Sequence, residues 1–260
     1  MLLILIIGGI FMNETIKTQL NHKTIREFKN ERIPEEIFKI LMEVARRTPT
    51  SNGMQSYSII RVKDNDKKAT IAEICNQEYV KRTPELLIFI VDQFRNMMIA
   101  KEKSGNVENA RDMDRFFQGF TDACLAAQNV VVAAESMGLG TVYFGSILND
   151  PQKIIDIFSL PELTFPVVGL GIGYPNQEPQ LKPRMDMRLR LFEDKYTVFE
   201  NYLKEIEDYD REMTEYYDLR DANKRVDSFS DQIVTKLKNP VIKRQEILKV
   251  VRKQGFDLKI

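Results

Sequence analysis

The stretch that decides the fold is "TDACLAAQNVVVAAESMGLG", residues 121–140. Alanine and other small residues occur on every side of it, as expected for a helix that is buried at the centre of a protein. Gly138 and Gly140 mark the end of this predicted helix, since glycine commonly follows a helix C-terminus. The rest of the chain is therefore expected to pack around it.

Segments with strand character lie on both sides of the central helix. "TVYFG" (141–145) and "FPVVGLGIGYP" (165–175) follow it, while "QSYSIIRV" (55–62) and "PELLIFIVD" (84–92) precede it. Their β-branched and aromatic residues predict strands. The continuous apolar run in residues 84–92 predicts a strand that is buried on both faces.

Predicted helices separate these strands. Residues 33–47, "IPEEIFKILMEVARR", place a proline in the first helical turn. The apolar stripe of this helix is Ile37, Ile40, Leu41 and Val44. Residues 67–82 form a second predicted helix, and Asp150 and Pro151 provide the cap and first turn of a third. This order of elements predicts an α+β domain with a sheet of about four or five strands.

The two ends of the chain differ from this core. Residues 1–12 form an apolar tail that is shorter than the ~20 residues a spanning helix needs and lacks the features of a signal peptide. Two interpretations remain open, a packed tail and a start codon upstream of the natural one. We favour the second, in which Met12 opens the protein. Residues 13–260 are expected to form a single domain, of which 193–260 is a charged helical extension.

Composition narrows the classes of partner and chemistry. The chain carries 38 basic and 38 acidic side chains, so no global field draws it to nucleic acid or membrane, and we expect neither partner. Its two cysteines, Cys75 and Cys124, lie in predicted helices, which indicates a reducing compartment, the cytoplasm. With His22 as the single histidine, sequence-local ligands assemble neither a zinc cluster nor a hydrolytic triad, so no metal is expected.

The glycines of "GLGIG", residues 169–173, are spaced like part of a dinucleotide-binding fingerprint. That motif must open a helix, whereas Tyr174 and Pro175 follow here at once. We therefore predict a tightly packed glycine-rich strand at this position, against which another backbone or a ligand lies closely.

Three polar segments are candidates for a binding site: "HKTIREF" (22–28), "RTPTSNGMQ" (47–55) and "LKPRM" (181–185). All three lie between predicted elements, where ligand contacts concentrate. The first and third together carry four positive charges from lysine and arginine, enough for a phosphate group. The second presents uncharged hydroxyls and amides, which suit the edge of a polar heterocycle. Together the segments predict a site for a phosphorylated heterocycle.

These segments, with "CNQEYV" (75–80) and "MGLGTVYFGSI" (137–147), stand in the order and approximate spacing of a known family. From about Asn21 to its C-terminus the chain resembles the nitroreductase superfamily, and within it the NADPH-dependent branch of FMN-containing flavin and nitro reductases. The resemblance implies a nitroreductase-like α+β fold whose central, mostly antiparallel sheet is flanked by helices. It also implies a homodimer with two FMN molecules at the subunit interface.

The resemblance carries FMN-binding roles over to positions of this chain. Lys23, Arg26, Lys182 and Arg184 are implied to hold the phosphate, and Gln77 the ribityl chain or ring edge. Residues 143–146 are implied to line the isoalloxazine face, and residues 50–55 to touch the flavin across the dimer. The full implied set is His22, Lys23, Thr24, Arg26, Thr50, Ser51, Asn52, Gln55, Gln77, Tyr143, Phe144, Gly145, Ser146, Lys182 and Arg184.

Basic positions of the C-terminal extension are implied to contact the 2′-phosphate of NADPH, namely Arg220, Arg225 and Arg244. Two departures from the family pattern stand out. Lys23 and Thr24 replace arginine and serine, which keeps the charge and the hydroxyl. Ser146 replaces the second of two glycines, which narrows the expected pocket at the flavin ring.

The implied function is that of an FMN-dependent oxidoreductase working in two half-reactions. A hydride passes from NADPH to FMN, and two electrons then pass to a nitroaromatic, a quinone or free flavin. The cofactor supplies the chemistry, so no catalytic side chain is expected, and His22 is expected to take part in an anion clamp. The alternative is a flavin-binding redox sensor or partner-binding protein without efficient turnover.

Overall fold

We describe a computed structural model of the 260-residue chain. The description covers residues 6–7, 10–220 and 227–257, with backbone alone for 6–7, 10–11 and 217–220. The chain divides into two compact units, one formed by Met1–Pro179 with Ile242–Ile260 and the other by Gln180–Val241. The candidate binding segments before residue 180 therefore belong to the first unit, which also holds the sheet.

The sheet of the first unit has four strands, all paired antiparallel, in the spatial order β3-β4-β6-β5. The strands of the described chain are β1 (Ile6–Ile7), β2 (Ile10–Phe11), β3 (Tyr57–Val62), β4 (Glu85–Asp92), β5 (Gly140–Phe144) and β6 (Thr164–Gly173). Among the described strands, β1 and β2 form a separate two-stranded sheet. The antiparallel sheet and its strand segments are as predicted, and β3 and β5 are its two edges.

The two central strands are the most apolar. β4 is buried from Leu86 to Asp92, as its continuous apolar run predicts. It pairs along its whole length with β6, and a bulge shifts the register between Phe89 and Ile90. The bulge lies beside Pro166, which has no N–H to donate to the ladder.

The described residues of both units form helices. They are α1 (Glu14–Leu20), α2 (Glu35–Arg46), α3 (Asn65–Cys75), α4 (Gln93–Glu102), α5 (Met113–Ser136), α6 (Pro151–Phe158), α7 (Tyr202–Glu205), α8 (Glu207–Arg220), α9 (Phe229–Lys238), α10 (Ile242–Gln245) and α11 (Ile247–Lys253). None of the helices in the described ranges is long and apolar enough to cross a membrane.

Helix α5 is the predicted central helix. It begins at Met113, well before the predicted start at Thr121, and ends at Ser136, two residues before Gly138 with its φ of +77°. Small residues let it lie close to the sheet, and its buried alanines are Ala123, Ala126, Ala127 and Ala134. The prediction of a buried helix at the centre of the core is confirmed.

Two details of the helices differ from prediction. Helix α4 follows β4 directly, and its start is capped by Asp92, which accepts a hydrogen bond from the amide of Arg95 at 3.0 Å. Helix α2 buries Phe38, Leu41 and Ala45, while Ile40 of the predicted stripe is 52% exposed. The buried face is therefore rotated by about one position from the predicted stripe, and Leu41 belongs to both.

The glycine-rich strand β6 is confirmed as a close-packed strand. A Cβ added to Gly171 would lie 2.7 Å from Cγ2 of Thr83, and one added to Gly173 would lie 2.7 Å from Cγ of Pro84. Tyr174 and Pro175 follow β6 without opening a helix. The glycines therefore serve packing between the strand and its neighbours.

The end of the described chain returns to the first unit. Phe256 is buried, with its ring 5.0 Å from that of Phe116 on α5. The amide of Leu163 donates to the carbonyl of Gln254 at 2.7 Å. Helix α11 buries Val251. The last part of the predicted helical extension therefore contributes to the main core.

Candidate active site

The predicted binding segment 22–28 lies along the edge strand β5. Thr24 forms a parallel bridge with Thr141, and the amide of Ile25 donates to the Thr141 carbonyl at 2.9 Å. Gly140 permits this approach, because an added Cβ would lie 2.6 Å from Cγ1 of Ile25. Phe28 then bridges to Pro175, just after β6. The segment is therefore fixed to the sheet by its backbone, so its polar side chains take no part in this attachment.

His22 joins this segment to the central helix. Its Nδ1 lies 2.7 Å from Oε1 of Glu135 on α5, and the same oxygen accepts a hydrogen bond from Oγ1 of Thr141 at 2.6 Å. The imidazole is part-buried and the hydroxyl of Thr141 is buried. The single histidine therefore holds the start of the binding segment in place.

The two cations of the segment differ in their surroundings. Lys23 forms an ion pair with Glu178, whose side chain is highly exposed, so the pair contributes little to stability. Arg26 is half-buried and has no hydrogen bond or ion pair with any described residue. An incoming anion would therefore find the guanidinium of Arg26 unoccupied and the ammonium group of Lys23 weakly held.

A second group of predicted residues meets after β5. The hydroxyl of Ser146 donates to Oε1 of Gln77 at 3.1 Å. A Cβ added to Gly145 would meet no atom within 4 Å, so the backbone faces open space. Tyr143 is partly exposed, and its hydroxyl donates to Oε1 of Gln128 at 3.1 Å. Desolvation raises the pKa of Tyr143 well above its usual range, so the phenol stays protonated.

One residue of this group is misplaced by prediction. The side chain of Phe144 is fully buried in the core, 5.9 Å from the ring of Tyr79, so it does not line the open surface. Alternation along β5 explains the difference, because neighbouring side chains of a strand point to opposite faces. Phe144 packs in the core on one face of β5, and Tyr143 is the aromatic residue on the opposite, exposed face.

Arg244 lies beside the same turn. Its Nη1 donates to the carbonyl of Gly145 at 2.9 Å, and the neighbouring Lys243 pairs with Asp150. The short helix α10 is thereby fastened to the turn that follows β5. The guanidinium predicted to read NADPH is instead partly used in holding the backbone at Gly145.

The loop of residues 50–56 has an unusual backbone. Asn52, Gly53 and Gln55 have φ angles of +53°, +68° and +51°. The buried carboxylate of Asp122 accepts hydrogen bonds from the amides of Ser51 at 2.8 Å and Ser56 at 3.3 Å. The amide of Gln55 donates to Oγ1 of Thr50 at 3.2 Å. This loop is therefore shaped by specific contacts although its tip is exposed.

Within one chain, the loop and the β5 turn lie at different edges of the sheet. The loop leads into β3 and the turn follows β5, and these are the outer strands of the four. Three strand spacings separate them, about 14 Å. The structure therefore groups segment 22–28 with the β5 turn and keeps the 50–56 loop apart from both.

The remaining predicted residues lie in or near the second unit. Arg184 is exposed, and its Nη1 donates to the carbonyls of Lys182 at 3.1 Å and Pro183 at 3.2 Å. Lys182 is exposed as well. Arg225 lies outside the described residues, and so does the side chain of Arg220. The predicted roles of these four residues stay predictions.

A cavity of about 820 Å³ lies beside the end of segment 22–28, between residues 27–35 and the ends of β3 and β4. Two of its basic side chains, Arg61 and Lys68, have partners within the protein. Arg61 pairs with Glu85 at 2.7 Å and with Glu35 at 2.9 Å. Lys68 donates to the carbonyls of Thr83 and Pro84, and desolvation lowers the pKa of its ammonium group. These contacts occupy the charged groups of Arg61 and Lys68 within the protein.

Sequence reasoning missed two acidic residues that hold the predicted binding segments in place. They are Glu135, which holds His22, and Asp122, which holds the 50–56 loop. A signal existed for both, since an acid in a small-residue helix that is predicted to be buried needs a partner. In the described part of the chain, no three His, Cys, Asp or Glu side chains are grouped so that they could hold a metal ion.

Comparison with known proteins gives consistent relatives. The profile of the nitroreductase family matches residues 20–174, and that of the C-terminal domain of the nitroreductase family matches residues 182–259. The chain is 34% identical over 249 residues to the FMN reductase (NADPH) of Bacillus subtilis, covering 95% of this chain and 99% of that protein. It is 35% identical over 239 residues to an NADPH-dependent oxidoreductase of Staphylococcus epidermidis, covering 90% and 94%.

Solved structures agree with these relatives. NfrA2 of B. megaterium superimposes with a TM-score of 0.89 at 31% identity, covering 96% of this chain and all of that one. The NADPH:FMN oxidoreductase of Vibrio harveyi, complexed with NAD+, superimposes with a TM-score of 0.83 at 31% identity, covering 94% and 98%. By sequence and by fold, the chain belongs to the nitroreductase family.

Proposed function

We propose that this protein is an NADPH-dependent oxidoreductase that binds FMN between segment 22–28 and the turn after β5. The observation that carries the proposal is the half-buried guanidinium of Arg26, which has no partner among the described residues. It lies on a segment that is hydrogen-bonded to β5, the strand that ends at the open surface of Gly145. Strand β5 therefore connects the segment that carries Arg26 with the open surface at Gly145.

The donor set fits a flavin mononucleotide. Arg26 and Lys23 would bind the phosphate, with Thr24 as a hydroxyl donor beside them. The amide of Gln77 and the hydroxyl of Ser146 would hydrogen-bond the polar edge of the ring system. Lys182 and Arg184 would complete the phosphate clamp, as proposed from the family resemblance.

When bound, FMN accepts a hydride from NADPH and supplies two electrons to an acceptor such as a nitroaromatic, a quinone or free flavin. The chain's own residues bind and orient the reactants. The phenol of Tyr143 stays protonated because desolvation raises its pKa, so it offers a hydrogen-bond donor and no charge at this surface. The imidazole of His22 contacts Glu135, and the proposed function requires no proton transfer by His22.

The names of the relatives support this assignment. The protein from B. subtilis is an FMN reductase that uses NADPH, and that from V. harveyi is an NADPH:FMN oxidoreductase. Both match nearly their whole length to this chain. Arg220 and Arg225 would supply the contacts to the 2′-phosphate of NADPH. The two free cysteines support a reducing, cytoplasmic location.

A homodimer accounts for the position of the 50–56 loop. In one chain this loop and the β5 turn lie at opposite sheet edges, so a partner's loop would meet the flavin that the β5 turn holds. Helix α5 carries an outward stripe of Phe117, Cys124 and Leu125. Phe117 is 61% exposed and Leu125 45% exposed in the single chain. Such a stripe is suited to a subunit interface.

Anaerobic mixing with each nicotinamide nucleotide tests the proposed function. The purified protein should be yellow, and NADPH should bleach its visible flavin absorbance faster than NADH does. Addition of a quinone or nitroaromatic should then restore the colour, as two separate half-reactions require. A yellow protein that neither nucleotide bleaches would favour the flavin-binding sensor. A colourless protein that cannot be reconstituted with FMN would contradict both.

A further inference from the structure

Asp122 is a carboxylate without exposure to solvent in the middle of an alanine-rich helix. Burial of a charge is costly unless hydrogen bonds compensate for it. Its described partners are two backbone amides, those of Ser51 and Ser56, with one amide on each carboxylate oxygen. These amides lie at the two ends of the 50–56 loop. A single carboxylate therefore joins both ends of the loop to α5.

A second observation points to the same contact. Gly119 lies one turn before Asp122 on α5, and an added Cβ would lie 2.6 Å from the carbonyl oxygen of Ser56. Residues three apart share one face of a helix. The glycine therefore allows the loop backbone to come near enough for Asp122 to reach its amides.

The opposite side of the loop is held by α4. Nδ2 of Asn96 donates to the carbonyl of Met54 at 3.0 Å, and Arg95 donates to the carbonyls of Gln55 and Tyr57. The loop thus gives amides to α5 and carbonyls to α4. This pattern explains how Gln55 keeps a positive φ, which is unfavourable for a residue with a side chain.

We infer that Asp122 is a positioning residue of the flavin site: its buried charge sets the conformation in which residues 50–55 meet the cofactor. The inference rests on the proposed function, because the loop matters to FMN only if this chain binds FMN. Asp122 touches no reactant itself. It acts through the backbone amides of Ser51 and Ser56. The adjacent loop residues Thr50, Asn52 and Gln55 carry the hydroxyl and amide groups that are proposed to meet the flavin.

The test compares Asp122→Asn and Asp122→Glu with a matched control, Asp114→Asn. Asp114 is an exposed acid near the start of the same helix, where it accepts a hydrogen bond from Gln118 at 2.7 Å. The asparagine variant keeps the size of Asp122 but replaces one acceptor oxygen with an N–H donor that faces a backbone amide. The glutamate variant keeps the charge and should rescue part of the loss.

Two measurements are made on each protein. Amide hydrogen exchange in the FMN-free chain should speed up at Ser51 and Ser56 in Asp122→Asn by at least about tenfold, since a charge-assisted hydrogen bond is lost. FMN titration followed by flavin fluorescence should show a dissociation constant raised by at least about tenfold. At saturating FMN, the visible circular dichroism of the bound flavin should change. Asp114→Asn should match the wild type throughout.

The outcomes separate the alternatives. Unchanged exchange in Asp122→Asn overturns the inference, and so does faster exchange with FMN affinity and dichroism like those of the wild type. If Asp122→Asn does not fold, the wild type decides: Ser51 and Ser56 should exchange as slowly as α5, and exchange typical of an exposed loop overturns the inference. A wild-type chain with slow exchange that takes up no FMN identifies a failure of the proposed function instead.

Discussion

Two arginines near the proposed flavin site differ in what their guanidinium groups already bind. Arg26 is half-buried and without a partner among the described residues, whereas Arg244 donates to the carbonyl of Gly145 at 2.9 Å. A half-buried cation without a partner is partly desolvated, and a bound anion would compensate for the lost hydration. Arg26 is therefore suited to a ligand and Arg244 to the protein backbone.

Arg26→Gln should weaken FMN binding with little effect on folding. Charge-assisted bonds to phosphate contribute ~1.5 to 3 kcal/mol, or about one to two powers of ten in the dissociation constant. The free energy of unfolding of the FMN-free chain should change by less than about 0.5 kcal/mol, because no internal contact is lost. Fluorescence titration and denaturant unfolding measure the two quantities.

Arg82→Gln is the control for this prediction, since Arg82 already pairs with Glu27 of the same segment at 2.8 Å. Equal losses of FMN affinity in both variants would contradict the assignment of Arg26.

Arg244 and Arg225 should differ in their effect on nucleotide choice. Arg244→Gln should alter the Michaelis constants for NADPH and NADH by the same factor, because its guanidinium holds the Gly145 turn. Arg225→Ala should raise the Michaelis constant for NADPH alone if it binds the 2′-phosphate. Steady-state kinetics with both nucleotides provide the comparison. A selective NADPH effect of Arg244→Gln would return Arg244 to the role predicted from sequence.

At the scale of elements, helix α5 connects the core with both parts of the proposed site. Its small residues lie against the sheet, Asp122 holds the loop before β3, and Glu135 near its end holds His22 beside β5. Close approach on one side of the helix requires Gly119. The helix therefore transmits any change in its own packing to the two groups of binding residues.

Gly119→Ala should destabilise the fold despite the better helix propensity of alanine. The propensity gain is about 0.8–1 kcal/mol, whereas the new Cβ would lie 2.6 Å from a backbone oxygen that has little room to move. Overpacking of this kind costs ~1–3 kcal/mol, so we expect a net loss of stability in denaturant unfolding. Gly145→Ala has open space around its Cβ and should change the unfolding free energy by less than about 0.5 kcal/mol. A stable Gly119→Ala variant would show that α5 can move away from the loop.

At the scale of the whole molecule, the single chain leaves an apolar stripe of α5 uncovered and places the proposed flavin contacts at opposite sheet edges. A two-fold dimer would resolve both features at once, since each chain would offer its loop to the other chain's β5 turn. Flavin binding and dimerisation should therefore be coupled.

The double variant Phe117→Glu and Leu125→Glu should raise the dimer dissociation constant by at least about 100-fold, because it places two charges in the proposed interface. Sedimentation should give twice the 30.3 kDa chain mass for the wild type and the single mass for the variant. FMN affinity should fall in the same variant, since flavin binding and dimerisation are expected to be coupled. Leu248→Glu, on the exposed face of α11, is the control and should stay dimeric.

Thiol labelling provides an independent check of the same interface. Cys124 is exposed in the single chain and Cys75 is buried. In the dimer Cys124 should be covered and react slowly, and in the double variant it should react fast, while Cys75 should stay unreactive in both. Desolvation raises the pKa of both thiols, so each cysteine is compared with itself in the wild type and in the variant. Fast labelling of Cys124 in the wild type would place the dimer interface elsewhere.

The sequence by itself determined the elements and the inventory of chemistry. The central helix, four strands and the glycine-rich packing of β6 follow from local composition and periodicity, which act over a few residues. The order of motifs was enough to identify the family, because its binding segments keep their spacing along the chain. In the structure, Gln77 and Ser146 of these motifs are joined by a 3.1 Å hydrogen bond.

Only the tertiary structure decided which side chains are free to bind. Phe144 turns into the core, Arg244 holds a carbonyl and His22 holds a glutamate, each through a partner that is distant along the chain. Such partners are chosen by packing between elements, and no local pattern records them. For the same reason Asp122 became visible as a positioning residue only when the loop 71 residues before it along the chain closed on its carboxylate.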